Sequence, residues 1–87
     1  MATPIITLQV GSKELKFAPT MVAYNSLVNS MTNNDKVAPT HNYLKKIVCQ
    51  ESKADLDELL AMPGAAMQLA AAVNGQFVPE LEITVKN

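Results

Sequence analysis

Hydrophobic and polar residues alternate at the start of the chain, in a pattern typical of β-strands. In Ile5–Val10 an apolar face alternates with a more polar face, and Glu14–Phe17 show the same alternation. Gly11–Lys13 lie between these two runs and supply turn residues. The pattern therefore predicts an N-terminal β-hairpin.

The middle of the chain changes to helical spacing of its apolar residues. Met21–Met31 form a first predicted helix with Thr20 as its N-cap, and a second helix opens near Thr40, a further candidate cap. Ser52 is the predicted cap of a third helix. Asp55 lies three residues later, which approximates a capping box.

The stretch Leu59–Pro79 contains no charged residue. Pro63–Gly64 interrupt the third helix, and Ala65–Val73 predict its continuation as a separate helix. Asn74–Gly75 are typical of a helix C-terminus and predict that this helix ends there.

The last residues return to strand-like alternation. In Leu81–Lys86 the apolar side chains Leu81, Ile83 and Val85 alternate with polar ones, which predicts a third strand. An isolated hairpin is marginally stable, so this strand is expected to join it. The prediction is one α+β domain over residues 1–87, in which the hairpin and the C-terminal strand form a small sheet packed against three to four short helices.

The uncharged stretch has three possible explanations. A membrane span is disfavoured, because Pro63–Gly64 and several polar side chains interrupt the stretch. Internal packing explains one face of the helix, whereas a partner surface explains why no face is charged. Both of these readings stay open on the sequence alone.

A mixed role for the stretch gives specific residue predictions, with one face buried and one offered to a client protein or a second copy. Small alanines allow another backbone to approach, and methionine adapts to different partner shapes. The predicted partner contacts are Met62, Met67 and Phe77. The predicted core anchors are Leu60, Leu69 and Val73.

Composition and charge exclude several classes of function. The formal net charge is −1 and all basic residues are lysine, which argues against nucleic-acid binding. Cys49 is the single cysteine, so no internal disulfide can form and a reducing cytoplasm is expected. The N-terminal residues lack the basic region of a signal peptide.

The side chains best suited to catalysis or metal binding are His41 and Cys49, and each occurs once. On one straight helix they would lie about 12 Å apart, too far for direct proton transfer. One thiol and one imidazole are also a poor ligand set for a metal. The sequence therefore predicts no catalytic residue, metal or cofactor, and a protein that is not an enzyme.

Two longer segments, with the hairpin before them, give the chain a family resemblance. They are "NNDKVAPTHNYLKKIV" at Asn33–Val48 and "LDELLAMPGAAMQLAAAVNGQFVPELEITVK" at Leu56–Lys86. In sequence and order they resemble the small phage tail assembly chaperones of tailed phages and prophages. The resemblance covers most of the chain.

The resemblance implies a non-enzymatic protein in the cytoplasm of the bacterial host. Such chaperones bind the tail tape-measure protein, help to recruit tail-tube subunits, and are left out of the mature virion. A homo-oligomer is compatible with this role, and neither nucleic acid nor membrane is an expected partner. The alternatives are a structural minor tail or connector protein of the virion and, less favoured, a small nucleic-acid-binding regulator.

Overall fold

A computed structural model describes residues 4–79 and 81–86 of the chain. Two antiparallel strands are followed by helices, which confirms the predicted α+β class. The elements are β1 (Ile6–Val10), β2 (Lys13–Phe17), α1 (Met21–Ser30), α2 (Val37–Ile47), a short 3-10 turn (Gln50–Ser52), α3 (Lys53–Leu60) and α4 (Ala65–Phe77).

The hairpin forms where the alternation predicts it. Leu8 pairs with Leu15 and Ile6 with Phe17 across the two strands, which places these apolar side chains on one face. Gly11 has a φ of 63° in the turn, a left-handed conformation that glycine adopts without steric cost. Local sequence therefore accounts for this element.

The first two helices differ in how well their starts are predicted. The Thr20 hydroxyl accepts a hydrogen bond from the Ala23 amide at 3.1 Å, which confirms the cap of α1. The predicted cap at Thr40 is wrong, because α2 already begins at Val37. Thr40 lies inside the helix, where its hydroxyl donates to the Lys36 carbonyl at 2.6 Å.

Ser52 precedes α3 as predicted, but its side chain does not cap that helix. Its hydroxyl oxygen accepts a hydrogen bond from the backbone amide of Lys16, in β2, at 2.9 Å. Ser52 is buried, and a buried amide without an acceptor costs free energy. The tertiary bond to β2 therefore replaces the predicted capping box.

The break before α4 is confirmed, whereas the predicted end of α4 is wrong. Gly64 has a φ of 77° in the turn between α3 and α4. The helix then passes through Asn74 and Gly75 and ends at Phe77. Asn74 accepts a hydrogen bond from the Tyr43 hydroxyl at 2.8 Å, and this contact with α2 holds the last turns of α4 in place.

One hydrophobic core joins the hairpin to the helices. Leu69 and Val73 are buried in it, which confirms both as core anchors, while Leu60 is only partly buried against it. α4 packs on α2, α3 and β1. The buried residues are Leu15, Phe17, Ala23, Leu27, Tyr43, Leu44, Ile47, Val48, Leu56, Leu59, Ala66, Leu69, Ala70 and Val73.

The predicted third strand is absent from residues 81–86, so the sheet in the described part of the chain has two strands. Leu81, Ile83 and Val85 are 70%, 80% and 81% exposed. The backbone beyond β2 is already bonded to the α2–α3 connection, with Cys49 donating to Lys16 at 2.9 Å. A strand needs backbone partners as well as alternation, and no backbone hydrogen bond joins residues 81–86 to the hairpin.

Candidate functional site

The three residues predicted to contact a partner differ in exposure. Met62 is 51% exposed and Met67 is 41% exposed, which confirms that both are accessible. Phe77 is instead half-buried, because its ring contacts the edge of Tyr24 with the ring centres 6.2 Å apart. Phe77 is therefore less exposed than predicted, and its role as a partner contact stays a prediction.

A groove with a volume of about 340 Å³ opens where β1 meets the turn between α3 and α4. We call it the corner groove. Its walls include Met62, whereas Met67 and Phe77 lie outside it. Its lining residues are Leu8, Gln9, Val10, Leu59, Met62, Pro63, Ala65, Gln68, Leu69 and Ala72.

The local sequence explains why the corner groove forms. The left-handed turn at Gly64 redirects the chain between α3 and α4. Ala65, Gln68, Leu69 and Ala72 then follow the spacing i, i+3, i+4 and i+7, so one face of α4 forms a wall. Alanine at two of these positions keeps the wall thin beside β1.

A second groove follows the outer edge of β1 and has a volume of about 590 Å³. We call it the edge groove. It shares Leu8 and Ala72 with the corner groove, so the two are continuous along β1. It is lined by Ile5, Ile6, Thr7, Leu8, Ala71, Ala72, Gly75 and Gln76.

Both grooves are lined without a charged side chain, and the charges nearby are paired elsewhere. The Lys13 ammonium lies 3.3 Å from a carboxylate oxygen of Glu58 and 3.4 Å from one of Asp55. These hydrogen bonds raise the pKa of Lys13 above its ordinary value, and the bond to Glu58 has the largest effect. The cluster therefore links α3 to β2, and it leaves the grooves uncharged.

Neither His41 nor Cys49 lines these grooves. Both side chains are partly buried, and Cys49 follows Val48, which forms an isolated β-bridge with Phe17 of β2. Over residues 4–79 and 81–86, no group of three histidine, cysteine, aspartate or glutamate side chains could hold a metal ion. In the same part of the chain, no helix is long and apolar enough to cross a membrane.

Sequence reasoning did not anticipate the strand side of the grooves. Leu8 and Val10 are partly buried against the core, and they also form walls of the corner groove. The small residues of α4 were the available signal for a groove. On α1, the apolar side chains of Met21 and Val28 are exposed.

Comparison with known proteins places the chain in a family. It is 44% identical over 82 residues to the "Uncharacterized 11.3 kDa protein in lys 3'region" of Haemophilus phage HP1 (strain HP1c1), covering 94% of this chain and 80% of that protein. No solved structure matches the chain. Residues 6–87 match the profile of the family described as phage tail assembly chaperone, and the chain therefore belongs to this family.

Proposed function

We propose that the chain acts as a tail assembly chaperone that binds the tape-measure protein and helps to recruit tail-tube subunits. The observation that carries this proposal is the corner groove, an uncharged cleft on a chain whose family assembles tails. The proposed role is non-enzymatic. It is exercised in the cytoplasm of the bacterial host, and the chaperone is left out of the mature virion.

The corner groove suits an apolar helix of a client protein. Amphipathic helices bind other proteins by placing apolar side chains into such clefts. Met62 stands half-exposed at the groove, and its unbranched side chain can adapt to clients of different shape. The amides of Gln9 and Gln68 add polar groups that can orient a bound segment.

Met67 and Phe77 have a secondary place in this proposal. Met67 is exposed on α4 outside the groove, so it can contact a client that extends beyond Met62. Phe77 supports α4 through its contact with Tyr24, and only its remaining exposed surface is open to a client. Met62 is therefore the first residue to test.

Binding of a tape-measure fragment to the full chain, followed by calorimetry, tests the proposal. Met62→Lys places a charge in the apolar groove and is expected to weaken binding at least about tenfold, because a buried charge without a partner is unfavourable. Met21→Lys is the matched control, since Met21 is exposed on α1 and lines neither groove. Equal affinities of the two variants would contradict the proposed site.

The proposed location is tested separately, on purified phage particles. Mass spectrometry is expected to detect the chain in infected cells and not in finished tails. A constant number of copies in each purified tail would instead identify a structural component of the virion.

A further inference from the structure

The backbone groups at the two edges of the sheet differ in their hydrogen bonding. Beside β2, the α2–α3 connection supplies hydrogen bonds, including those from Cys49 to Lys16 at 2.9 Å and from Ala18 to Ile47 at 2.7 Å. Among the described residues, β1 makes no backbone hydrogen bond to any element except β2. The outer edge of β1 is therefore open to another strand.

The segment 81–86 has the properties of the missing strand. Its apolar side chains alternate with polar ones, and its backbone is not part of a helix or strand. An extended segment of this length spans roughly 20 Å, which matches the roughly 17 Å of β1. Ile83 and Val85 are 80% and 81% exposed, a costly state for two β-branched apolar side chains.

The edge groove has the shape that such a strand requires. Its floor lies between β1 and α4, where Ala71, Ala72 and Gly75 project little or no side chain. A strand that pairs with β1 would place alternate side chains beneath α4. The open volume of about 590 Å³ accommodates the apolar face formed by Leu81, Ile83 and Val85.

The structure also favours a second copy as the source of this strand. No residue of the segment 81–86 lines the edge groove of its own chain, and none of its apolar side chains packs on the core. Each chain thus presents both an unpaired strand and an unoccupied edge. When two chains exchange these segments, the β1 edge of each chain gains a strand in one symmetric contact.

We propose that residues 81–86 of one chain add to β1 of a second copy, and that the reciprocal exchange forms a dimer with two three-stranded sheets. This inference concerns self-association and does not rest on the proposed function. The added strand lies beside β1, whereas the walls of the corner groove from α3, α4 and the turn between them, apart from the shared Ala72, lie outside the new contact.

Nuclear magnetic resonance on a mixture of isotope-labelled and unlabelled full-length chains tests the exchange. Cross-peaks between methyl groups of Ile83 or Val85 on one chain and Leu8 or Ala72 on the other are expected. Cross-peaks that arise only within one chain would overturn the proposal, because the strand would then add to its own sheet. The absence of any such cross-peak would overturn it too.

Sedimentation of point variants provides a second, independent measurement. Ile83→Lys is expected to raise the dimer dissociation constant at least tenfold, since its charge would enter the edge groove. Thr84→Lys is the matched control, because neighbouring strand residues face opposite sides, and its dissociation constant should stay within about threefold of wild type. Both residues lie outside the core, so folding is preserved. A monomeric wild-type chain, or equal effects of the two variants, would overturn the proposal.

Discussion

Leu69→Ala offers the most direct test of how α4 divides between core and surface. Leu69 is 6% exposed and belongs to the core, where α4 packs against α2, α3 and β1. Replacement by alanine removes buried methyl groups and leaves a cavity that the surrounding helices fill only in part. The expected loss in the free energy of unfolding is about 2–5 kcal/mol.

This loss is large for a domain of this size. A chain of 87 residues has an expected free energy of unfolding of about 4–13 kcal/mol, from typical values per residue. Each kcal/mol of destabilisation lowers the melting temperature of such a domain by about 4–8 °C. Leu69→Ala should therefore lower the melting temperature by at least about 8 °C.

Met67→Lys provides the contrast from the same helix. Met67 is 41% exposed, and a lysine there can extend its charged end into water while its stem covers the helix. The expected change in the free energy of unfolding is within about 0.5 kcal/mol, as for most surface substitutions. In the proposed function, the same variant should weaken capture of a tape-measure fragment if the client extends along α4.

Urea unfolding followed by circular dichroism measures both variants under the same conditions. The denaturation midpoint should fall clearly for Leu69→Ala and hardly move for Met67→Lys, with similar denaturant slopes for both. Unfolding of the domain by Met67→Lys would show that Met67 belongs to the core. A Leu69→Ala variant as stable as wild type would refute the packing argument for α4.

Three further predictions concern stability. Ser52→Ala removes the acceptor of a β2 amide, so it should cost about 1–3 kcal/mol and raise amide hydrogen exchange in β2 rather than in α3. Gly64→Ala should destabilise the domain by about 1–2 kcal/mol in thermal unfolding, because φ is +77° at this position. Gly75 lies within α4 with open space around it, so Gly75→Ala should stabilise the domain by about 0.5–1 kcal/mol. Hydrogen bonds to Glu58 and Asp55 raise the pKa of Lys13, so the stabilisation from this cluster is present at neutral pH and lost as pH rises above about 10. Burial raises the pKa of Tyr43 because it disfavours the ionised ring, so ionisation of Tyr43 at high pH also destabilises the fold. A urea midpoint that stays constant up to pH 12 would contradict this.

The sequence alone determined the elements that depend on local physical chemistry. Alternation over short runs specified the hairpin, and Pro63–Gly64 specified the break before α4, since both patterns act through neighbouring residues. The burial of Leu69 and Val73 and the exposure of Met62 also followed from the sequence. Helical spacing places Leu69 and Val73 on one face of α4, whereas Met62 lies in the turn before that helix.

Tertiary packing determines where polar groups and the ends of segments find partners. Ser52 bonds to β2 instead of capping α3, and α4 continues past Gly75 while Asn74 bonds to Tyr43. The strand-like segment 81–86 remains unpaired although its pattern is regular. A hydrogen bond or an open sheet edge depends on residues distant in sequence. A local pattern therefore shows which element a segment can form, and the packed fold determines which partners that segment contacts.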